Sequence, residues 1–187
     1  MKVRRTAKVK VERFEVGDVI RFKLKDGEKV EAMAVKQDGD NMIFCFVDCL
    51  ATEYRMNATG TNEGGWDACE LREKLNGEIL QRFPWKIMSR LVAFENGDLL
   101  RIPSEKEIFG KNEYGKEESA EVEQWEPMKL RRNRIAFQGR NGSPEWYWLR
   151  DVVSSANFAA VATNGYAYNH NASSANGVRP VFSIKNL

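Results

Sequence analysis

The stretch FAAVATNGYAYNHNASSANGVRPVFSI, Phe158–Ile184, carries the reading on which the fold turns. FAAVAT and YAYNH flank Asn164-Gly165, the pair favoured in type I′ turns, so they predict a hairpin of two antiparallel strands. VRPVFSI predicts a last strand, with Pro180 confined to a sheet edge, a strand start or a bulge. Between the hairpin turn and Pro180 lie Tyr166, Tyr168, Asn169, the single histidine His170, Asn171, Ser173 and Ser174, with no carboxylate. Tyr166 and Tyr168 are two apart and share one strand face, while Ala167 and Asn169 take the other. Tyrosine supplies large rigid contact area, and Asn and Ser supply adaptable hydrogen bonds, which is the chemistry of a contact surface. Asn and Ser also simply make loops, and strand tyrosines fill cores. From these residues alone both readings stay open.

Upstream, three β-type runs near 18–25, 29–37 and 42–48 are punctuated by Asp26-Gly27 and Asp38-Gly39, both hairpin signals. Trp66, Cys69, Leu71, Leu75, Ile79, Leu80 and Phe83 fall on one face of a helix over about 66–83, weakened by Gly77 and ended by Pro84. This is expected to be the dominant helix. DLLRIP predicts a strand, and Ser104 with Glu107 predicts a capping box opening a short helix. Residues 112–123 are polar and acidic, as in a surface excursion. EQWEPMKLRRNRIAFQ predicts one or two helical turns and then a strand. WYWLRD predicts a strand, with Tyr147 and Leu149 on one face and Trp146, Trp148 and Arg150 on the other. The expected architecture is α+β: a basic arm at 1–12 and a single domain at 13–187, mostly antiparallel strands with one dominant helix.

The chain has 187 residues, 42% hydrophobic and 30% charged, with a net charge of +2. That balance fits a globular domain and disfavours nucleic acid or an anionic membrane as the main partner. The basic runs MKVRRTAKVK and KLRRNR are offset by acidic stretches, so they read as solvated faces. No apolar window is long enough to span a bilayer, and the N-terminus lacks an apolar signal core, so cytoplasmic synthesis is expected. Cys45 and Cys49 sit four apart on one strand, roughly 13 Å at 3.3 Å per residue, too far for a disulfide. With Cys69 they read as buried thiols. A zinc site from the three cysteines and His170 matches no common spacing.

The order of phrases is more specific than any one of them. Trp66–Asn76 (WDACELREKLN), DLLRIPSEKEIFG, YWLR at Tyr147–Arg150 and GVRP at Gly177–Pro180 resemble an uncharacterised bacterial and phage domain family with WxxxxLRxxLN, PSE, YWLR and GVRP motifs. That family is similar to the C-type-lectin-like fold, shared by formylglycine-generating enzymes and the variable proteins of diversity-generating retroelements. The resemblance covers roughly Phe14 to the C-terminus. It implies that the Trp-rich strand and terminal Gly-Val-Arg strand pack in the core, here Trp66, Trp146, Trp148, Arg150 and Arg179. It also implies that the hairpin and loop before the last strand carry a ligand surface, in a phage, prophage or gut bacterium.

The chemistry of sites narrows the function. Trp146, Trp148, Arg150 and Arg179 suit a sugar platform, but their core role is favoured, with Asp151 and Glu105 as candidate partners for a buried Arg179. Trp125-Glu126-Pro127-Met128 lacks the amide that calcium-dependent lectins carry after proline, and the acidic residues at 112–123 lack the alternation of a calcium loop. All three cysteines precede residue 70, so the late cysteine pair of formylglycine-generating enzymes is missing. His170 near Ser173 and Ser174 is not a triad by proximity alone. The expectation is therefore a non-enzymatic, calcium-independent ligand-binding or adhesion domain without cofactor. Its contact residues are Tyr166, Tyr168, Asn169, His170, Asn171, Ser173 and Ser174. Its partner is a protein or glycan on a surface, with neither nucleic acid nor membrane. The alternative is a structural or virion-assembly protein making subunit contacts through the same surface, and homo-oligomerisation stays open. A weaker alternative is an enzyme of unknown type.

Overall fold

The computed structural model describes residues 13–186, so the basic arm expected at 1–12 and Leu187 lie outside the described residues. β1 (Val19–Lys23), β2 (Lys29–Asp38) and β3 (Asn41–Phe46) form a meander within two residues of the expected bounds. β4 (Leu91–Val92), β5 (Ala136–Phe137), β6 (Pro144–Glu145), β7 (Tyr147–Val152), β8 (Asn157–Val161), β9 (Ala167–Asn171) and β10 (Val181–Lys185) follow. They assemble into a five-stranded sheet ordered β1-β2-β3-β10-β4, a three-stranded sheet β7-β8-β9 and a β5-β6 ribbon. Every pairing between these strands is antiparallel. Short helices α1 (Glu70–Lys74), α2 (Trp85–Met88), α3 (Glu105–Phe109) and α4 (Arg131–Arg134) connect them, giving an α+β domain dominated by antiparallel strand.

Three local expectations are corrected. The dominant helix does not begin at Trp66: Gly65–Ala68 is one 3₁₀ turn, and α1 starts at Glu70, whose N–H donates to Asn57 Oδ1 at 3.0 Å. Beyond Lys74 it widens into a π turn over Leu75–Ile79, around the weak Gly77. DLLRIP is not a strand. Asn76 Oδ1 accepts from the Leu99 and Leu100 N–H groups, and Asn76 Nδ2 donates to the Leu100 carbonyl, so a side chain satisfies that backbone. Only a bridge from Arg101 to Val181 remains, and β4 pairs with β10 instead. The 158–170 hairpin forms, but its turn is not type I′, since Gly165 has φ 79° and among the described residues no non-glycine residue, Asn164 included, has positive φ. Ala162 N–H donates to the Tyr166 carbonyl and Gly165 N–H to the Ala162 carbonyl, the pattern of a three-residue loop with a glycine bulge.

The central strands β3, β8 and β10 are buried on both faces, because their successive residues are mostly apolar. Phe44, Phe46, Phe182, Trp148, Phe158 and Ala160 enter one core with Leu71 of α1 and Leu75 of the π turn. Cys45, Val181, Tyr147, Leu149, Ala159 and Val161 enter a second core with Trp125 and Met128. In the first, the cross-strand pair Phe44–Phe182 stacks at 5.6 Å, and Phe22, Phe46 and Phe83 pack around it. Cys45, Cys49 and Cys69 are free and buried, and burial pushes each thiol up, which makes it a poor nucleophile.

The GVRP phrase locks these layers together. A Cβ on Gly177 would stand 2.5 Å from Cys49 Sγ and 2.8 Å from the Trp146 carbonyl oxygen, so no other residue fits without displacing backbone. Arg179 is 1% exposed. The expectation that it pairs with Asp151 or Glu105 is overturned. Its Nε donates to the Phe46 carbonyl at 2.8 Å, its Nη1 to the Asn133 carbonyl and to the Tyr147 hydroxyl at 3.0 Å. The guanidinium also lies 4.9 Å from the Tyr147 ring centroid. The end of β3, α4 and the start of β7 converge there, and among the described residues two carbonyls and a hydroxyl take the place of a counter-ion.

Two substitutions test this lock. Gly177→Ala is expected to cost about 1–3 kcal/mol through overpacking, read as a fall in Tm of roughly 2–12 °C. Arg179→Leu strands buried carbonyls and the Tyr147 hydroxyl and is expected to cost more than about 3 kcal/mol, with loss of soluble yield. An Arg179→Leu chain with native Tm removes this account.

Candidate functional site

The hairpin places its side chains by alternation. Tyr168 pairs with Ala160 and His170 with Phe158, so Tyr166, Tyr168 and His170 extend the first-core face past the sheet edge. Tyr166 is 55% and Tyr168 49% exposed. Asn169 and His170 are half-buried and Asn171 is exposed, so among the described residues this edge is only partly covered. Trp146 packs beneath it, with centroids 4.9 Å from Tyr168 and 5.1 Å from His170. Trp148 meets His170 at 6.2 Å, and Tyr114 meets Tyr168 at 6.5 Å. The result is a continuous aromatic surface on a rigid hairpin. His170 Nδ1 is buried there without a hydrogen-bond partner among the described residues.

The seven expected contact residues therefore divide. Tyr166, Tyr168 and His170 stand together. Asn169 faces the other way and accepts from Asn157 Nδ2, and Asn171 Oδ1 accepts from the Ser173 N–H and hydroxyl. Ser174 N–H donates to the Asn171 carbonyl. Ser173 and Ser174 thus build the turn that leads to Asn176 and Gly177. Of the residues read as core, Trp148 and Arg179 are fully buried, Trp66 and Trp146 partly so, and Arg150 sits half-buried on Glu118 at 2.9 Å. Trp146 is both core and surface. Tyr114 and Arg131 belong to the surface and were not expected there. Arg131 places its guanidinium 5.2 Å over the Tyr166 ring. The usable signal for Tyr114 was a lone aromatic in a polar excursion.

A second constellation of charge lies behind this surface. At the start of α3, Ser104 and Glu107 form the expected capping box, and Glu107 pairs with Arg101 at 2.6 Å, both buried. Glu105 accepts from the Tyr114 and Gly115 N–H groups. Asp151 accepts from the Glu105 N–H and from Asn112 Nδ2, and Asn112 Oδ1 accepts from the Glu118 N–H. The 112–118 excursion is therefore docked by carboxylates, and Tyr114 is carried with it. Burial, and then the charge of Glu118, push Asp151 up to about 7. A nearby cleft of about 480 Å³ is lined by Asn62, Gly64, Gly65, Lys116 and Val152–Ser155, and none of these carboxylates lines it. Among the described residues, no three His, Cys, Asp or Glu side chains gather as a metal site. No described helix is long and apolar enough to cross a membrane.

Residues 97–186 match the family model described as a domain of unknown function, DUF6273. This stretch fits an uncharacterised domain family. It runs from before α3 through β10, and so holds the aromatic edge, the carboxylates and Arg179, while β1–β3 and α1 lie outside it. No curated protein matches the chain, and no solved structure matches it.

Asp151 gives a pH test. Its folded pKa of about 7 lies above the ordinary 3.8, so between these values the folded chain holds a proton that the unfolded chain releases. Its contribution to stability is therefore full at low pH and lost as pH rises through about 7. Urea midpoints measured from pH 5 to pH 8 are expected to fall, and Asp151→Asn to flatten that slope. Equal slopes in both chains refute the assignment.

Proposed function

We propose that this protein is a non-catalytic, calcium-independent binding domain whose contact surface is the hairpin edge of Tyr166, Tyr168 and His170 with Trp146 and Tyr114. The carrying observation is the exposure of Tyr166 and Tyr168 beside a ring stack that fixes their positions. Rigid aromatics lose little entropy on binding, so such a patch favours contact with a protein or glycan on a surface. The C-type-lectin-like fold and a phage or prophage setting belong to the same proposal and rest on the order of the sequence motifs. The engagement of the buried carboxylates by backbone N–H groups, away from the cleft, favours binding over catalysis.

An open strand edge also favours the second reading, assembly with further copies. Glycan arrays and panels of bacterial surface proteins, probed with the native chain and with Tyr166→Ser/Tyr168→Ser, separate the two. The expected result is binding that resists EDTA and drops at least tenfold in the variant, with Tm unchanged. Light scattering that shows a stable trimer or ring, dissolved by the same double substitution, assigns the surface to assembly instead.

A further inference from the structure

Resting on that reading of the hairpin as a contact surface, we propose that β9 accepts an extended, carboxylate-bearing peptide as a fourth strand of the three-stranded sheet. The phase of the ladder sets the edge. Ala162 N–H donates to the Tyr166 carbonyl and Ala172 N–H to the Ala156 carbonyl, so the backbone groups of Tyr166, Tyr168, His170 and Ala172 face β8. Those of Ala167, Asn169 and Asn171 face away. Ser174 N–H takes the Asn171 carbonyl. Among the described residues, the N–H and C=O groups of Ala167 and Asn169 have no hydrogen-bond partner. They present two donors and two acceptors at the spacing an incoming strand requires.

The other edges are guarded. β1 carries Arg21 and Lys23, β4 is two residues long, and the free side of β7 bonds to Pro103 and Gly177 through Arg150 and Trp148 N–H groups. β9 reads Ala-Tyr-Asn-His-Asn, with no proline, lysine or bulge to repel a strand.

Charge selects the occupant. From Val152 to Leu187 there is no Asp or Glu. Arg131, Arg132 and Arg134 of α4 make no salt bridge among the described residues. Arg131 packs against Gly165 at the hairpin turn and covers Tyr166. A peptide on β9 would lay alternate side chains on Tyr166 and Tyr168 and bring a carboxylate within reach of Arg131 and Arg132. A second copy is the poorer occupant, because its β9 brings the same arginine-flanked strand from a segment, Val152–Leu187, that holds no Asp or Glu.

The probes are two labelled nine-residue peptides, EVTVEVTVE and its lysine counterpart KVTVKVTVK, titrated by fluorescence anisotropy against the full chain. The acidic peptide is expected to bind at least tenfold tighter, an advantage that high salt or Arg131→Glu/Arg132→Glu removes. Asn169→Pro deletes an outward N–H and the side-chain bond from Asn157 but leaves the backbone ladder to β8. It is expected to abolish binding while the chain stays folded with a small fall in Tm, matched by Asn169→Ala, which keeps the N–H and the binding. Should that variant unfold, the acidic peptide N-methylated at alternate residues reads the same hydrogen bonds from the ligand side and is expected not to bind. Equal binding of both peptides, binding of neither, or binding of the N-methylated peptide overturns the proposal. So does a stable dimer of the native chain that Asn169→Pro dissolves. If the tyrosine variant loses array binding while the peptides stay unbound, the edge proposal fails and the contact surface stands.

Discussion

A guanidinium with no counter-ion among the described residues sits where the two larger sheets meet, and the rest of the structure is arranged to tolerate it. Burying a lone charge is costly unless dipoles surround it. Arg179 is supplied with them by the Phe46 carbonyl after β3, the Asn133 carbonyl in α4, and the hydroxyl and ring of Tyr147 in β7. Tyr147 in turn donates to the Arg134 carbonyl. Three separate elements, β3, α4 and β7, are thereby held at one point by the segment that leads into β10. The absent Cβ of Gly177, two residues earlier, lets the chain approach Cys49 and Trp146 closely enough to deliver the arginine.

From that point the placement of the surface follows. Trp146 and Tyr147 are adjacent in the chain, so fixing Tyr147 inside fixes Trp146 beneath the hairpin edge. Trp148 takes its place in the first core and donates its ring N–H to the Tyr54 carbonyl. Tyr114 arrives by a different route, on an excursion whose backbone is gripped by Glu105 and whose base is gripped by Asp151 through Asn112. The aromatic edge is thus held from below by packing and from the side by the Glu105 and Asp151 carboxylates. The match of residues 97–186 to one family model spans both supports.

Much of this was legible in the chain because it is local. The Asp-Gly punctuation gave β1–β3, Ser104 and Glu107 gave the start of α3, and alternation gave the two faces of β7. The burial of Arg179 was legible too, but not its partners, since those carbonyls come from positions up to 133 residues away. DLLRIP misled because its strand-like pattern could not disclose Asn76, which replaces a neighbouring strand with a side-chain amide. Asn164-Gly165 misled because the pair is compatible with two hairpin loops that differ by one residue in length. At the contact surface, strand parity located the two tyrosines. Tyr114 and Arg131 came together with them only through tertiary packing.

The position of β10 in the five-stranded sheet has a consequence for how the molecule comes into being. It is an inner strand, between β3 and β4, yet it follows every other element in the chain. During synthesis β3 must wait with one edge open, and both cores must wait for Val181, Phe182 and Ile184, while more than a hundred residues are added after it. A nascent chain of this kind cannot finish folding in instalments. Pairing of β10 with β3 is a long-range step, and the open edge and unfilled cores before it are the kind of surface that chaperones shield.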